Sequence, residues 1–323
     1  MKRNVWLAGL ASCALVWCGA ALAQAYPNKP VKLVVPFPPG GSTNIIGRAV
    51  AQKLSDEWGV QVVVENKPGA GGSLGADFVA KAAPDGYTLL LGHVGTLAVN
   101  PLLYPKLPYD PATHFAPISL VAEVPVVLVT NPSFAPKTVA EIVAYAKANP
   151  GKVNYGSAGN GSANHLAMEY FQLLTKTDLV HVPYKGTAPA ILDLMSGQVS
   201  MTMVGAATVL GNIQAGKIRA VAVSSPKRLD VLPQTPTIVE SGLSGFEASP
   251  WFGVLAPAGT PKEIVTKIHT DLLKAMKSDD MRKSLSTEGA VIVTNTPDQF
   301  SAYIKSEIAR WAKVVKDSGM KIE

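Results

Sequence analysis

Val31-Lys32-Leu33-Val34-Val35-Pro36-Phe37-Pro38-Pro39-Gly40-Gly41-Ser42-Thr43-Asn44 contains a complete change of periodicity in one short stretch. Val31 to Phe37 is an apolar run of the kind carried by a strand buried on both faces. Pro38-Pro39-Gly40-Gly41 ends it, and a helix opens at Ser42 or Thr43. Ile45, Ile46, Ala49, Val50, Leu54 and Trp58 then recur at three-to-four spacing, the apolar stripe of an amphipathic helix. Strand, glycine-rich turn and helix in this order are the first part of a βαβ unit, which calls for a parallel sheet covered on both faces.

The same alternation continues outward. Gln61 to Glu65 reads as a strand, Leu74 to Ala83 as a helix and Thr88 to Gly92 as a third strand. It then starts again with a strand at Val124 to Thr130, a helix at Val139 to Ala148 and a strand at Val153-Asn154-Tyr155. A second glycine-rich turn, Gly156 to Ser162, precedes a helix that opens near Ala163 and buries Leu166, Met168, Tyr170, Phe171 and Leu174. Further αβ units run through Ala188 to Ser196 and Ala220 to Ser224. Beyond Pro250 a strand, Trp251 to Ala256, precedes amphipathic helices at Pro261 to Met276 and Pro297 to Lys316. These helices have no sheet of their own and return to the first unit.

The fold class is therefore α/β, with two lobes that are each a mainly parallel sheet flanked by helices. The chain crosses between them twice, near Glu123-Val124-Pro125 and near Glu247 to Trp251, so the crossings form a hinge and a cleft lies between the lobes. The expected division is 26–124 plus 248–323 for one lobe and 125–247 for the other. A chain of 323 residues suits two cores. The two units show no strict sequence repeat.

Residues 1–25 differ from the rest. Lys2 and Arg3 precede an apolar stretch from Val5 to about Ala20, closed by Ala21-Leu22-Ala23, which is the pattern of a cleavable secretory signal peptide. Cleavage after Ala23 or Ala25 starts the mature chain near Tyr26 and places it in the periplasm. As a membrane anchor the run is short of the roughly 20 residues a span needs. Leu10-Ala11-Ser12-Cys13 also matches a lipoprotein box, with lipidation at Cys13 as the alternative. Both cysteines, Cys13 and Cys18, lie in this leader, so the mature chain has no thiol for disulfides, metal ligation or nucleophilic attack. Without Lys2 and Arg3 the chain carries 27 basic and 23 acidic residues, a net charge of +4. That mild surplus favours anionic ligands and is too evenly scattered for nucleic acid.

The two glycine-rich turns carry the local chemistry. At each, glycine lets backbone approach a ligand and the following helix aims unpaired N–H groups at the same place. A helix N-terminus attracts an anion by about 0.3 to 2 kcal/mol. The candidate ligand residues are Phe37, Pro38, Gly40, Gly41, Ser42, Thr43 and Asn44 at the first turn, and Ser157, Gly159, Asn160, Gly161 and Ser162 at the second. His165, one turn into the second helix, either faces the ligand or is a polar residue at a helix start. His93, with Gly95 and Thr96 after it, follows a strand at the edge of the cleft. Ser or Thr before a helix also serves as a plain N-cap.

Neither turn is a nucleotide signature. There is no G-x-x-x-x-G-K-[ST], and Gly69-Ala70-Gly71-Gly72-Ser73 fails G-x-G-x-x-G at Leu74. Ser157 lies outside G-x-S-x-G because Tyr155 occupies the first glycine's place. The five histidines show no metal-ligand spacing, so neither a metal nor a cofactor is expected. The rival to a binding protein is an exported hydrolase or lyase. It requires a base beside Ser157 or Ser162, and His165 is the nearby candidate.

At these residues the sequence resembles the Bug-type receptors, the periplasmic solute-binding subunits of tripartite tricarboxylate transporters. The resemblance is carried by Tyr26-Pro27-x-Lys29-Pro30, Pro36-Phe37-x-x-Gly40-Gly41-Ser42-Thr43 and Glu65-Asn66-x-x-Gly69-Ala70-Gly71-Gly72. It continues through Pro84-Asp85-Gly86-Tyr87-Thr88, Tyr155-Gly156-Ser157-Ala158-Gly159-x-Gly161-Ser162, His181-Val182-Pro183-Tyr184-Lys185-Gly186 and Pro257-Ala258-Gly259-Thr260-Pro261. It implies a two-lobed Venus-flytrap periplasmic-binding-protein fold, a non-enzymatic monomer that closes on a small organic carboxylate, and delivery to membrane permease subunits. Tyr184, Gly205 and Ala206 complete the ligand set it implies. Members often carry Asp where this chain has Asn44, which suits an amine-bearing ligand. They also often carry Asp-Asn where this chain has Val204-Gly205-Ala206-Ala207. Both departures favour a mono- or dicarboxylate without an amine, with an aromatic acid ahead of citrate-like acids. A sensor role would use the same cleft.

Overall fold

A computed structural model describes residues 26–246, 248–286 and 289–318. The expected leader and Cys13 lie outside these residues.

The chain forms two sheets. In the first, β1 (Val31–Val35) is followed by α1 (Ser42–Trp58), β2 (Val62–Asn66), α2 (Ser73–Ala80) and β3 (Thr88–His93). After a π-helical turn at Gly95–Val99 come α3 (Asn100–Leu103) and β4 (Phe115–Glu123). The second sheet is built from β5 (Val126–Thr130), α4 (Val139–Ala148), β6 (Val153–Ser157), α5 (Ala163–Thr175), β7 (Leu179–Pro183), α6 (Thr187–Ser196), β8 (Met201–Gly205), α7 (Ala206–Gln214) and β9 (Arg219–Val223). The chain then returns to the first sheet as β10 (Trp251–Pro257), α8 (Lys262–Met276), α9 (Asp279–Ser286), β11 (Val291–Ile292) and α10 (Pro297–Ser318).

The strand orders are β2-β1-β3-β10-β4-β11 and β7-β6-β8-β5-β9. Over their first five places these are one arrangement. In each, the fourth strand is the one that arrives from the other sheet, β10 in the first and β5 in the second. Both run antiparallel to their neighbours, β10 to β3 and β4 and β5 to β8 and β9. The remaining strands of that arrangement share one direction. The sheets are thus mainly parallel, as the sequence reading expects, each with one reversed crossing strand. The reversal follows from entry: a chain coming from the other lobe reaches this sheet at the opposite end from a βαβ crossover.

Burial explains the central positions. Every residue of β5, β8 and β10 is buried, so these strands need apolar side chains on both faces. α8 packs on α1 beside β4, while α10 packs on β4 and the π-helical turn. α10 also meets α5, and Leu166 of α5 is buried in an apolar cluster otherwise built from first-sheet elements, including Val94, Leu97, Trp251 and Trp311. At the hinge, Trp251 Nε1 donates to Glu307 Oε2 of α10 at 2.7 Å.

The C-terminal ends of β1, β3, β6 and β8 point into the space between the sheets, which places the loops that follow them on the cleft. The two sides touch there. A Cβ on Gly95 would collide with the Gly161 carbonyl oxygen, and one on Gly41 would lie 3.1 Å from Thr187 Oγ1. Glycine at 95 is required by that approach of backbone to backbone.

Candidate functional site

The cleft is lined from the first sheet by Phe37, Pro38, Gly41, Ser42, Thr43, His93 and Phe252. From the second come Ala158, Ser162, Ala163, Asn164, Gly186, Thr187, Val204 and Gly205, and Val124, Val126 and Pro250 close the hinge side. No Asp, Glu, Lys or Arg is among these residues. Four helices begin on this wall: α1 after Gly41, α5 after Ser162, α6 after Gly186 and α7 after Gly205. Each presents N–H groups that have no partner within the helix, and each carries a partial positive charge. The site therefore has positive potential supplied by backbone, with an apolar body formed by Phe37, Phe252, Val124, Val126, Val204 and Pro250.

His93 is the most informative side chain on this wall. It is 1% exposed and its ring lies 4.6 Å from that of Phe37. Gly95 N–H donates to its Nδ1 at 2.7 Å. An accepting Nδ1 puts the ring proton on Nε2. That Nε2 is buried and has no hydrogen-bond partner among the described residues. Burial holds the ring neutral, with its pKa lowered to about 3. The result is one uncharged donor without a partner, in a residue that lines the cleft. Thr96 fixes the backbone behind it, since its Oγ1 accepts from His93 N–H and donates to His93 O, each at 3.1 Å.

The second turn is braced from behind. Gly159 N–H donates to Ser157 Oγ at 3.0 Å, and Ser157 Oγ lies 2.6 Å from His181 Nε2. Gly161 N–H donates to His165 Nδ1 at 3.2 Å. The two imidazoles stack at 4.1 Å with 19° between planes, and His181 also stacks on Tyr155 at 5.0 Å. Desolvation lowers His165 to about 3, helped by His181, and lowers His181 to about 4. Glu169 closes the set. It accepts from Tyr155 OH, and burial raises its pKa.

Of the residues expected from sequence, Phe37, Pro38, Gly41, Ser42, Thr43, His93, Ser162 and Gly205 come together on the cleft wall. Gly95 and Thr96 stand behind His93, and Ser157, Gly159, Gly161 and His165 shape the second turn behind Ala158 and Ser162. The Asn160 carbonyl faces Gly71 of the first side, where a Cβ would approach it to 2.5 Å. Gly40 has open space around its Cα and stands off the wall. Asn44 is 5% exposed and turned inward: it donates to Asn66 Oδ1 and accepts from Arg48 Nε, each at 3.2 Å. Tyr184 directs its OH to Asp193 Oδ2 at 2.6 Å and its N–H to Ser157 O at 3.1 Å. Ala206 is buried behind Gly205.

Sequence reasoning missed Asn164, Thr187, Phe252, Pro250 and the hinge valines as cleft residues, and it missed His181. The base beside Ser157 is His181 and not His165. Their pairing is not presented to the cleft: Ser157 is fully buried and is not among the lining residues. Strand register brings His181 there: it is the partner of Tyr155 on the next strand and so shares a face with Ser157, which periodicity alone does not reveal.

Residues 46–320 match the family described as "Tripartite tricarboxylate transporter family receptor". The chain is 42% identical over 302 residues to Protein BugT of Bordetella pertussis, covering 93% of each. Among solved structures it is similar to an R. palustris protein determined with adipate, at 39% identity and a TM-score of 0.87, covering 92% of this chain and 99% of that one. It is also similar to MatC of Rhodopseudomonas palustris with bound malate, at 35% identity and a TM-score of 0.84, covering 90% and 100%.

Proposed function

As this chain belongs to the receptor family of the tripartite tricarboxylate transporters, and is a solute-binding receptor and not an enzyme, we propose that it captures an amine-free carboxylate, with aromatic mono- or dicarboxylates favoured over citrate-like acids. The observation that carries this reading is the cleft wall itself. Four helix N-termini and the neutral His93 Nε2–H converge there with no charged side chain. An anion finds donors from both sides. An ammonium group finds no carboxylate to offset its desolvation. The argument against amino acids rests on that missing acid, since the Asn44 side chain is turned away from the cleft. Phe37, Phe252, Val204 and Pro250 offer flat apolar surface to a ring and few donors to a hydroxylated acid such as citrate. Adipate and malate in similar proteins support carboxylate chemistry here.

The receptor works in the periplasm after removal of residues 1–25, as a monomer, with 26–124 plus 248–323 closing on 125–247. It delivers its ligand to membrane permease subunits, which a deletion strain tests by loss of labelled-ligand uptake.

Melting curves of ligand-free protein against terephthalate, phthalate, benzoate, adipate, malate, citrate, aspartate and glutamate test the ligand class. A ligand at 100 times its Kd stabilises by about 2.7 kcal/mol, which reads as a shift of several degrees. The expected result is a shift with the aromatic acids and none with glutamate or aspartate. Glutamate displacing every aromatic acid overturns the amine-free reading. A shift with adipate or malate alone overturns the aromatic preference.

A further inference from the structure

We infer that the stacked His165–His181 pair positions the second ligand turn, with each imidazole offering a different ring nitrogen to one end of the Ser157–Ser162 loop. The inference rests on the reading of that turn as part of the carboxylate site. His165 holds the distal end through Nδ1, which accepts from Gly161 N–H at 3.2 Å. His181 holds the proximal end through Nε2, 2.6 Å from Ser157 Oγ, which in turn accepts from Gly159 N–H at 3.0 Å. The rings are stacked at 4.1 Å, so each packs against the other.

The turn needs this support. Gly159 and Gly161 sit at φ +112° and +75°, and within the loop's own backbone Ser162 N–H donates to Gly159 O at 3.1 Å. What the turn presents is consequential on both sides. Ala158 and Ser162 line the cleft, and the Gly161 carbonyl is the surface against which Gly95 closes. A displaced turn would lose its donors to the ligand and its fit to the opposite lobe together. Both rings are uncharged at neutral pH, because burial depresses them to about 3 and about 4, so Nδ1 of His165 remains an acceptor. Tyr155 and Glu169 face the pair from β6 and α5.

The use of opposite nitrogens gives a test that a packing role would not pass. Asn places its amide near the Nδ1 position of histidine, and Gln near the Nε2 position. His165→Asn should retain the turn and His165→Gln should lose it, while at 181 the order reverses. The readout is amide hydrogen exchange at Gly159 and Gly161 in the ligand-free, full mature protein by NMR, with terephthalate and adipate titrations alongside. We expect Gly161 to exchange at least tenfold faster in His165→Gln than in His165→Asn, and Gly159 at least tenfold faster in His181→Asn than in His181→Gln. Affinity for whichever acid the wild type binds should follow the same crossed order. The same order at both sites, or no difference within either pair, overturns the inference. A crossed exchange pattern in a protein that binds none of the acids of the melting screen sustains the positioning role and sinks the carboxylate reading instead.

Discussion

One buried nitrogen beside this cleft has no partner of its own. An unpaired Nε2–H on a wall without charges costs stability in the absence of a partner, and this asymmetry is what makes it selective for an acceptor. His93→Phe keeps the ring contact with Phe37 and removes the donor. Ligand affinity should fall by tenfold or more, about 1.4 kcal/mol or above, while the ligand-free melting temperature changes little, because loss of the unpaired Nε2–H is set against the Gly95 N–H that loses its Nδ1 acceptor. Calorimetric titration of the acid identified in the melting screen checks this, and an unchanged Kd would remove His93 from the site. His93 was legible as a candidate because it ends a strand beside the expected cleft. Its tautomer was not, because that depends on the Gly95 N–H folding back on Nδ1. His181 was invisible for a related reason: it stands 24 residues from Ser157, and only strand pairing brings them together.

At the scale of elements, apolar runs and helical stripes located most of the first-lobe units, with ends displaced by at most three residues. β4 was missed because Pro117 interrupts its apolar run, although as a neighbour of β10 it is a principal strand of the sheet. The reversed direction of β5 and β10 was not legible at all, since periodicity carries no sign of direction. β10 is held at the hinge by α10 through a buried carboxylate. Glu307, 5% exposed, accepts from Trp251 Nε1 at 2.7 Å and from Trp311 Nε1 at 3.3 Å. Glu307→Ala strands those donors and should cost about 1 to 3 kcal/mol. Glu307→Gln keeps an acceptor and should cost less. Chemical denaturation of the two variants measures the difference, and equal losses would mean that the carboxylate charge, which also pairs with Arg310 Nε at 2.9 Å, and not the Trp251 bond, is what matters there.

For the whole molecule, closure and acid stability both follow from what the cleft buries. Ala at Gly95 meets the Gly161 carbonyl across the cleft and also the His93 ring, so it should hold the lobes apart. Small-angle scattering should then show ligand-dependent compaction in the wild type and little in Gly95→Ala, with affinity reduced at least tenfold. Equal compaction would place the closing contact elsewhere. Acid stability is argued from the same histidines. His93 and His165 are held neutral, both lowered from 6.5 to about 3. Below pH 6.5 the unfolded chain binds protons that the folded chain refuses, so stability is complete above that value and drains away as pH falls toward 3. Glu169 and Glu123, both raised by burial, act with the opposite sign, losing stability as pH rises above about 4.5. A single-site difference separates these contributions. His93→Phe has no ring to protonate, so the stability of wild type minus that of the variant isolates His93. That difference should be constant above pH 7 and then shift against the wild type by about 1.4 kcal/mol per pH unit between 6 and 4. Urea titrations at half-unit steps would trace it. A flat difference across that window would mean that His93 is hydrated and charged in the folded protein, and the uncharged donor at the centre of the cleft would have to be given up.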